Sequence, residues 1–244
     1  MRPFQDLLKS SAQEHGHLCA GQVVGVRMAM LGCRLIGLDD PASHAQVKKL
    51  IVFVEMDRCT ADAVAHVTGA KLGRRSLKYM DYGIMAATFL NLESEKAFRV
   101  LSTEEARDLV PLYAPGVQGK SRQQVEAYQR MPDSVLFRVQ EVKVHLSAYD
   151  MPGPTSRKTA CMRCGQVIRD HREVEADGVV LCKPCAQGAY FENARETAWE
   201  NMNWAPVPYE QAGDSTGPKN RHRETPQLGI IHRERPEESS ALAL

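Results

Sequence analysis

The chain has 244 residues, of which 43% are hydrophobic and 25% charged, the composition of a folded globular protein and not of a fibrous or wholly disordered one. Lys and Arg total 31 against 30 Asp and Glu, so the net charge of +1 supplies no global field to steer the protein onto nucleic acid or an anionic membrane. No apolar run reaches the 18 or more residues that suggest a membrane span, and the N-terminus MRPFQDLLKSSAQEH lacks a secretory pattern, so the sequence reads as a cytoplasmic protein with no membrane contact.

Residues 3–13 predict a short helix. Residues 19–38 are rich in Val, Met, Leu and Ala on nearly every side, the mark of a buried helix, and Gly21, Gly25 and Gly32 within it permit close approach of another backbone. LIVFVE at 50–55 is a short β-branched run suited to a central strand buried on both faces. Residues 60–67 have helical composition and stop at Thr68-Gly69, with glycine as the cap. A loop, GAKLGRRS, follows, and then residues 82–90 and 96–101 pair as a hairpin.

Ser102 with Glu105 and Ser121 with Gln124 have the spacing of capping boxes, predicting helices at 103–112 and 122–130. Over 134–147 the apolar positions switch from Val135, Phe137 and Val139 to Val142, Val144 and Leu146, so a bulge, or a passage between two environments, is expected near 140–141. The whole predicts an α+β core with a mixed sheet over 1–147 and a Pro-containing linker over 148–160. A finger module with a following amphipathic helix is expected over 161–202. The charged, Pro-rich tail at 203–244 is too poor in large apolar groups to fold alone.

Seven cysteines are an odd number in a chain without an export pattern, which favours metal ligation and free thiols over disulfides. Cys161 and Cys164 are separated by two residues, as are Cys182 and Cys185, and 17 residues lie between the pairs. Each pair can turn tightly around one ion, and four thiolates close a tetrahedral shell, so a structural zinc is expected in a small zinc-ribbon or treble-clef-like finger. Two disulfides or unpaired thiols are the alternative. The intervening segment is expected to return as a hairpin at Asp177-Gly178, with His171 on the surface. Basic residues near the cysteines, among them Arg157, Arg163 and Arg172, are compatible with phosphate contacts, but acidic neighbours dilute the patch and a solvated surface is favoured.

A second donor set is HGHLC, where His15, His17 and Cys19 fall within five residues and Gly16 lets the backbone turn them to one point. Cys59 and Asp62 begin the helix after the central strand, where α/β-like folds place ligands, and Glu55 is near them in sequence. A thiol at a helix start is expected to have a lowered pKa. The bland readings are a solvated basic loop for Lys71, Arg74, Arg75 and Lys78, satisfied structural histidines at 66 and 145, and a buried hydrophobe at Cys33.

Taken together, HGHLCAG, VEMDRCTADAVAHVTG, GAKLGRRSL and DYGIMAATF resemble the core of FmdE, the E-type component family of formylmethanofuran dehydrogenase, over most of residues 12–101. Members with a C-terminal four-cysteine finger are similar over the whole folded length. The resemblance implies an α+β core, an intertwined homodimer, and a core metal pocket formed by His17, Cys19 and Cys59 with His15 and Asp62 nearby. The chain departs from the family pattern at Ala20, where proline is usual, and at Ala70, where a further cysteine is usual, so a role needing that thiol is not carried over. The dehydrogenase chemistry belongs to a tungsten- or molybdenum-pterin held by other components of that enzyme, so no independent formylmethanofuran dehydrogenase activity is expected.

The leading expectation is a metal-binding accessory protein with a zinc, nickel or iron ion in its core and a zinc finger for protein or nucleic-acid contact or metal sensing. The alternatives are a metal-dependent enzyme working through an open coordination position, with Glu55 or Asp62 as base, and a transcriptional or RNA-binding regulator.

Overall fold

Two helices, α1 (Phe4–His15) and α2 (Ala20–Leu35), precede the first strand, β1 (Leu50–Val54), and α3 (Cys59–Thr68) follows it. The remaining core elements are β2 (Leu77–Tyr79), β3 (Ala86–Asn91), β4 (Ala97–Ser102), α4 (Glu105–Asp108), α5 (Val110–Tyr113), α6 (Lys120–Arg130), α7 (Asp133–Leu136) and β5 (Phe137–Glu141). The structure, a computed structural model, describes residues 1–195. Met1–Tyr190 form one unit and a second begins at Phe191. Among the described residues no helix is long and apolar enough to cross a membrane.

The sheet runs in the order β2-β1-β3-β4-β5, with β2 parallel to β1 and the other pairs antiparallel, so it is mixed as expected. Strand β2 was not expected, because three residues are too few to show a periodicity. Side chains alternate across a strand. Val52, Val54, Ala87, Phe89 and Val100 therefore face the helices and the main core, while Ile51, Leu90 and Ala97 face the other side. Val142, Val144 and Leu146 cover that second face, whereas Val135 and Phe137 pack on the first. The phase switch near residue 141 is thus the chain passing from one face of the sheet to the other.

Helix α2 is the centre of the main core, with Val23, Val26, Met28 and Ala29 fully buried. Its glycines set how closely it packs. A Cβ on Gly25 would stand 2.6 Å from both the Ala63 Cβ and the Thr60 carbonyl oxygen, and one on Gly32 would stand 2.1 Å from the Phe89 ring. Helix α3 ends as expected at Gly69, in the left-handed region at φ 68°.

Three local expectations are corrected. Neither capping box forms: Ser102 is spent as the last residue of β4, and the Thr103 hydroxyl instead accepts from the Ala106 amide at 3.3 Å. Gly119, at φ 88°, turns the chain so that α6 starts at Lys120, before Ser121 could cap it. The helix expected at 103–112 is split into α4 and α5, and Pro111, which cannot donate to a preceding carbonyl, lies in the first turn of the second.

In the C-terminal part, β6 (Lys158–Ala160) pairs with β7 (Val167–Arg169), β8 (Val174–Ala176) pairs with β9 (Val179–Leu181), and α8 (Lys183–Gln187) follows. Strand β6 occupies the end of the segment expected to be linker. The β8–β9 turn has Asp177 at φ 51° and Gly178 at φ 77°, both left-handed, as the two-residue hairpin turn at Asp177-Gly178 requires. The helix expected over 186–202 differs: α8 starts earlier and stops at Gly188, residues 188–195 are not helical, and 196–202 and the tail lie outside the described residues.

Candidate metal centres

The first CxxC lies in the turn between β6 and β7. Gly165 closes it in the left-handed region at φ 73°, its amide donating to the Cys161 carbonyl at 2.9 Å. The second CxxC opens α8, with Cys182 as the residue before the helix and Pro184 in its first turn. A knuckle hairpin, a second hairpin and a helix with Cys182 just before it and Cys185 within it make up the small four-cysteine module expected.

One ligand atom from each of Cys161, Cys164, Cys182 and Cys185 lies within 4.8 Å of all the others. Cys164 Sγ and Cys182 Sγ are 3.7 Å apart, far beyond a disulfide bond. Four sulfurs each about 2.3 Å from one ion sit about 3.8 Å from one another in a regular tetrahedron, so the residues fit a zinc ion. The thiols are electrostatically unequal. Burial works against the Cys161 thiolate, but the amides of Cys182, Cys164 and Arg163 outweigh it and hold its pKa down to about 6. Burial and the neighbouring thiols push Cys185 up to about 12. One bound cation removes this conflict by favouring all four thiolates at once.

The second cluster forms where α1 hands over to α2. Gly16, at φ 94°, caps α1 and reverses the chain, so that His15 at the end of one helix faces His17 and Cys19 at the start of the next. The ligand atoms of these three lie within 4.8 Å of one another, and the two imidazole rings are 4.8 Å apart at 38°. Asp62, one turn into α3, places Oδ2 3.0 Å from His15 Nδ1. His15 Nε2 is buried and has no hydrogen-bond partner among the described residues.

Cys59, expected among the ligands, lies beside this cluster and outside the group of three, brought there because α3 packs closely on α2: a Cβ on Gly21 would stand 2.9 Å from the Cys59 Cβ. Its thiol faces Cys19. The lowered pKa expected from its place at a helix start is reversed, since burial, the hydrogen bond with Cys19 and that neighbour's charge together raise it. Gln22, fully buried and not singled out by the sequence pattern, ties the parts together by accepting from Ser11 and donating to the Cys59 carbonyl at 2.8 Å.

Glu55 does not join the cluster. It lies on the opposite face of the sheet, where Arg99 holds both its oxygens at 2.7 Å. Strand alternation decides this, because Glu55 continues the Ile51 and Phe53 side of β1 and not the Val52 and Val54 side. Two cavities flank the HGHLC turn. One of about 730 Å³ is lined by His17, Cys19, Val117, Arg122 and Val125, and one of about 680 Å³ by His15, Asp62, His66, Lys71 and Leu77.

Comparison with known proteins agrees with this architecture. A crystal structure of a tungsten formylmethanofuran dehydrogenase FmdE-like protein from Syntrophus aciditrophicus has a similar fold, with a TM-score of 0.51 at 15% identity over 77% of this chain and 94% of that one. A probable S-adenosyl-L-methionine-binding protein of Archaeoglobus fulgidus is 26% identical over 203 residues, 76% of this chain. The chain spans 53% of that relative's length. Residues 14–143, more than half of the chain and including the whole HGHLC cluster and Cys59, match the family described as FmdE, Molybdenum formylmethanofuran dehydrogenase operon, and the protein belongs to that family.

Proposed function

We propose that the protein is a metal-binding accessory protein of the FmdE type, with a structural zinc ion in its finger and a second ion, zinc, nickel or iron, in its core. His15, His17 and Cys19 hold the core ion, Cys59 stands at its edge beside Cys19, and Asp62 orients His15. The observation that carries this is the state of His15. Its Nδ1 is taken by a carboxylate while its Nε2 is buried and unpaired beside two further donors, the arrangement of a metal-ligating histidine backed by a carboxylate. An ion held by three protein groups keeps a position where it can acidify a water or polarise a ligand. Elemental analysis tests the assignment: about two ions per chain are expected, with a His15→Ala, Cys19→Ala variant losing one and a Cys161→Ala, Cys182→Ala variant losing the other. One ion per chain, held only by the finger, overturns the core site.

A second reading, an enzyme or small-molecule sensor working at that open position, is supported by the two cavities beside the cluster. Asp62 is then the available base, since Glu55 is committed to Arg99. The name of the Archaeoglobus relative makes S-adenosyl-L-methionine the first ligand to titrate, and calorimetry without heat of binding would remove it. For the finger, a protein contact is favoured over nucleic acid because Arg157 is engaged with Glu173 and Glu175 and Arg172 with Asp150. Homodimerisation follows from the family resemblance, and light scattering on the full chain checks it.

A further inference from the structure

The finger and the core meet through charged groups that neither metal site uses. Arg75, in the loop before β2, places Nη1 3.2 Å from Asp170 Oδ2, and the two side chains are only 19% and 16% exposed. The other oxygen of Asp170 accepts from the Ser156 amide at 3.2 Å. A second tether lies alongside: Lys78 Nζ donates to the Asp150 carbonyl at 2.6 Å, and Arg172 of the finger donates to the Asp150 carboxylate.

What Arg75 belongs to matters more than the ion pair itself. The loop is pinned at both ends, by the Thr68 hydroxyl accepting from the Ala70 amide and by the Val52 amide donating to the Ser76 carbonyl. Between those points residues 72–74 make one turn closed by local bonds, and Leu72 is 65% exposed. Arg75 sits at φ 60°, a conformation that a non-glycine residue keeps only where its surroundings impose it. Lys71, Leu72 and Leu77 of this stretch form one wall of the cavity of about 680 Å³ whose other wall carries His15, Asp62 and His66. Asp170, for its part, follows β7 directly, and Ile168 of β7 packs with Cys161 and Cys182 in a cluster of three buried side chains. So small a cluster cannot hold its own shape, and the ion that gathers the cysteines must supply the folding energy.

We infer that the finger is a latch on the core cavity: with its four cysteines loaded, it holds Asp170 in place, Asp170 holds Arg75, and the loop at 71–76 is thereby fixed as the cavity wall beside His15. This rests on the finger binding zinc, as proposed above. It makes the finger a regulator of access to the core, with the Arg75–Asp170 pair as the physical link between the two sites.

Hydrogen exchange on the full chain tests this with three samples: zinc-loaded wild type, zinc-loaded Asp170→Asn, and the Cys161→Ala, Cys182→Ala variant. The latch requires amide exchange over residues 71–76 to rise at least fivefold in both variants, with β3 and β4 unchanged. An Arg75→Asp, Asp170→Arg exchange of the two charges should restore protection. If Asp170→Asn keeps its zinc and leaves 71–76 protected as in wild type, the latch is wrong. If the cysteine variant loses no zinc, the finger assignment fails instead, and the Asp170→Asn sample still decides whether the ion pair holds the loop.

Discussion

Asp62 Oδ2 lies 3.0 Å from His15 Nδ1, across 47 residues of sequence. An ionised carboxylate can only accept, so when the ring is neutral, as metal ligation requires, this contact puts the proton on Nδ1 and leaves Nε2 with a free lone pair. A buried nitrogen in that state is costly unless something binds it. Asp62→Asn is therefore expected to weaken core metal binding about 10- to 100-fold without unfolding the chain, as loss of such a carboxylate does elsewhere. Competition against a chromophoric chelator measures it, and an unchanged affinity would remove Asp62 from the site.

The finger thiols should separate from Cys33 when metal is stripped. Loss of the ion unfolds the finger and exposes its four cysteines, whereas Cys33 stays in the core, where burial pushes its thiol up to about 12. Alkylation mapped by mass spectrometry at about pH 8 should therefore mark Cys161, Cys164, Cys182 and Cys185 in the metal-stripped chain, spare them in the zinc-loaded one, and reach Cys33 last in both. Equal labelling of the four with and without zinc would remove the ion from the finger.

Gly25→Ala is expected to destabilise the core by roughly 1–3 kcal/mol despite alanine's better helix propensity of about 1 kcal/mol. The added methyl meets the Thr60 carbonyl and the Ala63 Cβ at 2.6 Å, and backbone cannot yield as a flexible side chain does. Splaying α2 from α3 also carries Cys59 away from Cys19. A lowered Tm with reduced core metal content is the expected pair of results.

Arg99→Met should cost about 3 kcal/mol, the lower part of the range for orphaning a buried charge, since Glu55 is 4% exposed but Arg99 keeps some contact with water. Denaturant unfolding gives the loss. Metal content should stay unchanged, because this pair lies on the other face of the sheet from the HGHLC cluster; a loss of the core ion would place Glu55 back at the site.

Much of this protein is written locally in its chain. The two CxxC pairs, the HGHLC turn with Gly16, the buried helix and the LIVFV strand are carried by residue type and short spacing, because tight turns, left-handed glycines and apolar runs depend on neighbours a few residues away. Tertiary structure alone decided the rest. Adjacency in sequence suggested Glu55 as a partner of the core donors, yet the pleat of β1 sends it to the other face and into the hands of Arg99, 44 residues on. The helix-start position of Cys59 suggested an acidic thiol, yet close packing of α2 on α3 buries it beside Cys19 and raises its pKa. Arg75 reads as one cation of a solvated loop until the fold sets it against Asp170, 95 residues away. Each of these outcomes depends on which surfaces meet in space, and local sequence carries no record of distances between segments that only the packed core brings together.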